Sequence, residues 1–294
     1  MTSGEAKEGN VTTGPHPMSG MEAFAPKEIA SLVETRGVAK ANAQWVTTFV
    51  LGVLAGAFIG LGAVLATTIG TGSALGYGPT RWLAGLGFSL GLILVVVAGA
   101  ELFTGNNLIV MSLVSRHITP AQLLRNWGIV YAGNLVGALS IAVMVWLAQW
   151  WAQDDGGVGA AALTIAASKT SLGFGVVLVR GVLANALVCL AVWLAFAGRT
   201  VIDKVAAIVL PISAFVAAGF EHSVANMYFI PVGWLIKDEP AVVHASGLTT
   251  QQLANLDLPG FLTNLAAATI GNVIGGAVLV GFVYWFVYLR EARG

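Results

Sequence analysis

Residues 88–107 read FSLGLILVVVAGAELFTGNN, and residues 212–231 read ISAFVAAGFEHSVANMYFIP. Both are apolar enough for a bilayer interior, and both are broken by the same polar signal. Gly99-Ala100-Glu101, followed by Asn106, answers Gly219-Phe220-Glu221, followed by Asn226, with an offset of 120 residues at each identity. A second echo follows in the same order: Gly133-Asn134-Leu135-Val136-Gly137 against Gly271-Asn272-Val273-Ile274-Gly275.

Around these strings the chain divides into six apolar segments, at 45–69, 81–114, 127–151, 172–197, 205–236 and 261–289. Each is long enough for a hydrocarbon core of about 30 Å, and the second and fifth are too long for one straight crossing. The echoes fall in the second and third segments of each half. Three crossings per half make the halves run in opposite directions, the inverted repeat of transporters and channels with a central site. The expected fold is an all-α integral membrane protein of six transmembrane helices in two inverted three-helix repeats, with broken second and fifth helices. Irregular backbone at that depth is tolerated only where protein or a water-lined cavity satisfies it, so the two breaks are the expected pore elements.

Composition agrees. Of 294 residues, 57% are hydrophobic and 10% charged, against about 25% charged in a soluble domain, and mean hydropathy is +0.83. Zero net charge leaves no basic surface for nucleic acid. Residues 1–20 are polar and read as a disordered tail, residues 21–43 as an amphipathic helix on the cytoplasmic surface, and residues 44–290 as the six-span domain. Ten Lys and Arg residues flank the crossings on the side of the termini and only Arg81, Lys169 and Lys237 on the other. The excess places both termini in the cytoplasm.

The chemistry lies at the breaks. His222 is ionisable at mid-span, which points to function, although it could also stabilise the break by a hydrogen bond. Glu101 and Glu221 read as a proton relay or as carboxylates accepting backbone N–H bonds, and their repetition favours the structural role. Thr104, Asn106 and Asn226 can offer hydrogen bonds to a solute or cap helix ends. Asn185, Asn134 and Asn272 are expected to bond between helices brought close by glycine. Arg180 either snorkels outward or meets a buried carboxylate. Lys169, expected at the outer start of the fourth span, either concentrates anions at a pore mouth or is a solvated flank residue.

Other motifs lack their context. Gly87-Phe88-Ser89-Leu90-Gly91 has the form of a nucleophile elbow but lies inside an apolar helix. An intramembrane hydrolase using Ser89 and His222 is the remote alternative. Cys189 is the single cysteine, and His16, His117 and His244 lack metal-ligand spacing, so no metal site is expected. There is no phosphate-binding G-x-x-x-x-G-K-[ST] loop and no Asn-Pro-Ala box.

FSLGLIL (88–94), AGAELFTGNN (98–107), NLVGAL (134–139), LANALVCLAVW (183–193), GFEHSVANMYFIP (219–231) and TIGNVIGG (269–276) together resemble the formate/nitrite transporter family, its formate channel branch most of all. The resemblance covers most of the chain. It implies a homopentamer of aquaporin-like protomers, each with its own pore, in a bacterial or archaeal cytoplasmic membrane. It implies passive or proton-coupled passage of a small monovalent anion, formate first, with nitrite or hydrosulfide as alternatives and no cofactor. By position His222 matches the family's central pore histidine, Thr104 the threonine facing it, Lys169 a lysine of the outer vestibule and Asn185 a pore-side asparagine. Phe88, Leu92, Leu102, Phe103, Val188 and Phe215 match the apolar residues that narrow the pore. Arg180 has no counterpart in the formate-channel pattern, and the Thr-Gly-Asn-Asn at 104–107 departs from it toward nitrite-type members.

Overall fold

The computed structural model describes residues 22–290. The expected tail at 1–20 lies outside the described residues. Within them the chain is helical, without strands. Helix α1 (Pro26–Ala41) opens with proline in its first turn, where the missing N–H is not needed. Helix α2 (Trp45–Gly70) is the first crossing. Helix α3 (Tyr77–Ala98) ends at Gly99, whose φ of 83° suits glycine. The chain resumes as a 3₁₀ turn, Gly105–Ile109, and a short α4 (Val110–Val114). The second span is therefore broken where the sequence places the break.

Helix α5 (Pro120–Leu147) begins earlier than the apolar run at 127 suggests. Thr119 and Gln122 form a capping box ahead of it, and that local stop on the orphan amides sets the start. Next comes an element the sequence reading did not anticipate, α6 (Gly157–Thr170). Lys169 thus lies near the end of a separate short helix, not at the start of the fourth span, α7 (Phe174–Ala197). Helices α8 (Val201–Ala217) and α9 (Ser223–Ile236) flank the second break, where Gly219 has a φ of 72°. Short α10 (Pro240–Ser246) and α11 (Thr250–Leu253) lead to α12 (Leu258–Val273). It continues through a π-helical stretch, Ile274–Phe282, into α13 (Val283–Tyr288).

Five helices are long and apolar enough to cross a membrane, with α12 to α13 forming one 31-residue rod. The remaining crossing is shared by α8 and α9. Large apolar side chains on the flanks, among them Leu54, Met144, Val179 and Leu262, stay exposed, as suits a surface facing lipid or neighbouring chains. The protein is a multi-pass membrane protein.

The packing repeats. Helix α2 lies against α3 and α5, as α7 lies against α8 and α12, and α6 rests on α9 as α1 rests on the 105–109 turn. The repeat thus has a leading short helix as well as three crossings. The halves join through α3 on α8 and α5 on α9. Close contact inside each half needs glycine. A β-carbon at Gly137 would collide with the Val53 carbonyl of α2, and one at Gly275 with the Val182 carbonyl of α7.

Gly137→Ala should therefore lower the thermal midpoint of the detergent-purified protein, with an overpacking cost of about 1–3 kcal/mol. Gly128→Ala, on the same helix with open space at its Cβ, should leave the midpoint unchanged or raise it. Equal midpoints for both variants would refute the close-contact account.

Candidate functional site

Two asparagines hold the broken backbone. Asn134 Oδ1 accepts the Phe103 N–H at 2.9 Å, while its Nδ2 donates to the Gly52 and Glu101 carbonyls at 2.8 and 2.9 Å. Asn272 does the same in the other half: Oδ1 accepts the Ser223 N–H at 2.8 Å, and Nδ2 donates to the Gly181 and Glu221 carbonyls at 2.8 and 3.0 Å. Both are fully buried. Asn185 binds the breaks together, with Nδ2 donating to Asn107 Oδ1 at 2.8 Å, the Asn272 carbonyl at 2.7 Å and the Thr104 carbonyl at 3.3 Å. It lines neither of the two cavities that border the breaks.

The glutamates sit one step out. Lys40 Nζ lies 3.0 Å from Glu101 Oε1 and donates to Asn106 Oδ1 at 2.8 Å. Asn106 Nδ2 donates to Glu101 Oε2 at 2.6 Å and to Asn126 Oδ1 at 3.0 Å, and Asn126 returns to the Lys40 carbonyl at 3.0 Å. The other half repeats the arrangement except that, among the described residues, no donor reaches Asn226 Oδ1, the counterpart of the Asn106 oxygen. Lys169 Nζ lies 3.0 Å from Glu221 Oε1. Asn226 Nδ2 donates to Glu221 Oε2 at 2.6 Å and to Asn264 Oδ1 at 2.7 Å, and Asn264 returns to the Lys169 carbonyl at 3.0 Å. The carboxylates thus take lysine and amide side chains, not the backbone N–H groups expected from the sequence. Charge pairing at each break replaces water that the interior cannot supply.

Lys40, Asn126 and Asn264 were missed by the sequence reading. A signal for them existed. Lys40 and Gly52 precede Lys169 and Gly181 by the same 129 residues, and Asn126 stands eight residues before Asn134 as Asn264 stands before Asn272.

Between the two lysine–glutamate pairs the symmetry fails. His222 Nε2 is 2.8 Å from Thr104 Oγ1, and its Nδ1 accepts the Ala225 N–H at 3.1 Å, capping α9. A backbone amide only donates, so a neutral His222 carries its proton on Nε2 and donates it to Thr104. Thr104 is fully buried and His222 is 2% exposed. The positions equivalent to them, Leu102 and Val224, carry no polar side chain. Cys189, another residue without a signal in the sequence, donates to the Thr104 carbonyl at 3.2 Å.

Two cavities approach this pair from opposite faces. The α1-side vestibule, about 480 Å³, is lined by Leu92 and Leu102 and by Arg36, Lys40 and Lys204. The α6-side vestibule, about 250 Å³, reaches His222 past Phe88, Phe215 and Phe229, with Arg81, Lys169 and Arg180 in its walls. Phe88 meets Phe215 edge to face at a centroid distance of 5.6 Å, and Phe215 lies 5.9 Å from the His222 ring. Phe103 and Val188 are buried but line neither vestibule; Phe103 packs on Tyr131 and Trp127.

Ser89 Oγ bonds to the Gly85 carbonyl at 3.0 Å and approaches Ser213 Oγ at 3.5 Å. Both nitrogens of His222 are engaged elsewhere, so the two residues do not form a nucleophile–base pair. Among the described residues no three His, Cys, Asp or Glu side chains cluster to hold a metal ion.

A sequence model described as formate/nitrite transporter matches residues 27–286. The chain is 44% identical over 271 residues to the formate channel FocA of Escherichia coli (strain K12), covering 90% of this chain and 95% of that protein. It is 40% identical over 263 residues to the formate channel FocA of Haemophilus influenzae, covering 88% and 93%. Among solved structures it resembles a pentameric formate channel with formate bound, with a TM-score of 0.76 at 38% identity over 84% of this chain and 98% of that one.

Asn272→Leu and Asn134→Leu should each destabilise the folded protein by roughly 2–3 kcal/mol, because each strands one backbone amide and one carbonyl of the break, the Gly52 and Gly181 carbonyls keeping their bonds within the helix. Thermal melts of the purified variants measure this, and wild-type midpoints would show that the asparagines do not hold the breaks.

Proposed function

The chain belongs to the formate/nitrite transporter family, and from that premise we propose that it conducts formate through a pore in each protomer of a homopentamer. Charge flanking the crossings orients it with both termini in the cytoplasm, so the α6-side vestibule faces outward. The observation that carries the reading is the buried His222–Thr104 pair between two cation-lined vestibules.

A bare anion entering an apolar slit loses hydration at an idealised cost of order 20 kcal/mol. The cations of the outer vestibule draw it in but cannot follow it across. At the pair, Nε2–H donates to Thr104 Oγ1, which leaves the threonine O–H to donate to the anion. Protonation of His222 at Nδ1 breaks the bond to the Ala225 N–H, so an imidazolium forms there only when an anion compensates it. That imidazolium passes its Nε2 proton to Thr104 as the hydroxyl proton passes to the carboxylate, and the imidazole then gives up its Nδ1 proton and takes one at Nε2, which restores the bond from the Ala225 N–H. The neutral acid then crosses the Leu92 and Leu102 side at far lower cost. A carboxylic acid titrates near about 4, so at pH 7 the solution supplies few acid molecules and the histidine must relay the proton.

Nitrite and hydrosulfide are the alternatives within the same pore. The Asn106 and Asn107 side chains that depart from the formate-channel pattern are bound to Lys40, Glu101, Asn185 and the Phe103 carbonyl. Their difference therefore bears on the framework and not on a solute.

Proteoliposomes should take up labelled formate faster at pH 5 than at pH 7, and more selectively than nitrite or hydrosulfide. His222→Ala should abolish the acid stimulation and leave a residual anion leak. Full pH-dependent uptake by that variant would refute the relay, and equal flux of all three anions would reduce the pore to a filter of size and charge.

A further inference from the structure

The sequence left two fates for Arg180, outward snorkelling or a buried carboxylate partner. The structure shows neither. Arg180 lies half-buried in the wall of the α6-side vestibule, in the same cavity as His222. Among the described residues no carboxylate pairs with it. Its one side-chain hydrogen bond, from Nη1 to the Gly219 carbonyl, is long at 3.4 Å. A guanidinium has five N–H donors in a planar fork, so most of its donors have no partner among the described residues.

Its two cationic neighbours are committed. Arg81 donates to the Val216 and Ala217 carbonyls and so satisfies the end of α8. Lys169 is bound to Glu221, with its Nζ also 5.5 Å over the Phe229 ring. Three cations stand in this vestibule against one glutamate, and of the three only Arg180 has neither an ion pair nor a short hydrogen bond among the described residues.

The inverted repeat supplies an internal control. The Arg180 carbonyl accepts the Glu221 N–H at 3.4 Å, and the Leu51 carbonyl accepts the Glu101 N–H at 3.1 Å in the other half. The backbone job at this position is thus done equally well by a leucine. The guanidinium is an addition to the scaffold, and it is confined to one mouth.

Resting on the channel reading above, we propose that the α6-side vestibule contains a docking site for a two-oxygen monoanion, a small carboxylate or nitrite, with the Arg180 guanidinium as its ligand. The parallel N–H pairs of the fork match two oxygens on one centre, a geometry an ammonium does not offer. The docked anion waits in the cavity that ends at His222. Hydrosulfide, with one acceptor atom, gains only the charge.

Arg180→Leu, the residue of the other half, and Arg180→Lys, which keeps the charge without the fork, test this. Initial formate uptake is measured against formate concentration at fixed ionic strength, in right-side-out and inside-out membrane vesicles. In the preparation that presents the α6 side, Arg180→Leu should raise the half-saturating formate about fivefold at an unchanged maximal rate, as expected for a half-exposed ion pair. Arg180→Lys should keep hydrosulfide uptake near wild type while formate and nitrite weaken. An unchanged half-saturation and anion ranking in both preparations would overturn the proposal and leave Arg180 as a cap on α8. A lowered maximal rate and melting point at unchanged half-saturation would likewise overturn it in favour of a support for the break. Absence of flux in wild-type vesicles would instead refute the channel reading itself, and the docking site with it.

Discussion

A backbone that leaves the helix in the middle of a membrane must still find a partner for each amide and carbonyl, because an unpaired one costs several kcal/mol where there is no water. This chain breaks two crossings and meets the demand twice with the same device. Asn134 and Asn272 each reach from the third crossing of their half to the break, and also tie it to a carbonyl of the first crossing, that of Gly52 or Gly181. That reach is possible only because glycines let the helix backbones touch. The glutamates, lysines and outer asparagines then fill the space between the break and the vestibule. Most of the buried polarity of the protein follows from this one requirement.

The scaffold is symmetric and its chemistry is not. Lysine, glutamate and the paired asparagines recur in both halves with closely similar hydrogen bonds. His222 stands opposite Leu102, Thr104 opposite Val224 and Arg180 opposite Leu51. A residue present in both halves is explained by holding the fold. One present in a single half calls for a different explanation, and these three lie along the path from the α6-side mouth to the centre. The repeat thereby separates supporting residues from working ones without reference to any other protein.

How much of this was legible in the sequence depended on range. The breaks at Gly99 and Gly219 and the pairing of Glu101 with Glu221 are short strings separated by a constant offset, and they were readable. Helix α6 was not, because 14 residues of alanine-rich sequence are too few to span a bilayer and resemble a connecting loop. Losing α6 hid the match between Lys40 and Lys169, so Lys40 looked like one more charge on an amphipathic surface. The commitments of Asn106, Asn107 and Asn185 were invisible for another reason. An asparagine offers the same donors to a solute as to a backbone carbonyl, and only the three-dimensional neighbours decide which receives them.

The pairing of each lysine with a glutamate also bears on conduction. A pore must attract its ion strongly enough to admit it and weakly enough to release it. Two bare lysines at the mouths would hold an anion tightly in a cavity of lowered dielectric. With Glu101 and Glu221 each 3.0 Å away, the lysines present a reduced field, and the surplus positive charge of each vestibule resides on its other cations. On the α6 side these are Arg81 and Arg180, each bonded only to backbone carbonyls and neither paired with a carboxylate among the described residues, so both keep their charge. The glutamates thus serve two ends through one contact: they complete the hydrogen bonding of the breaks, and they keep the lysines from becoming traps.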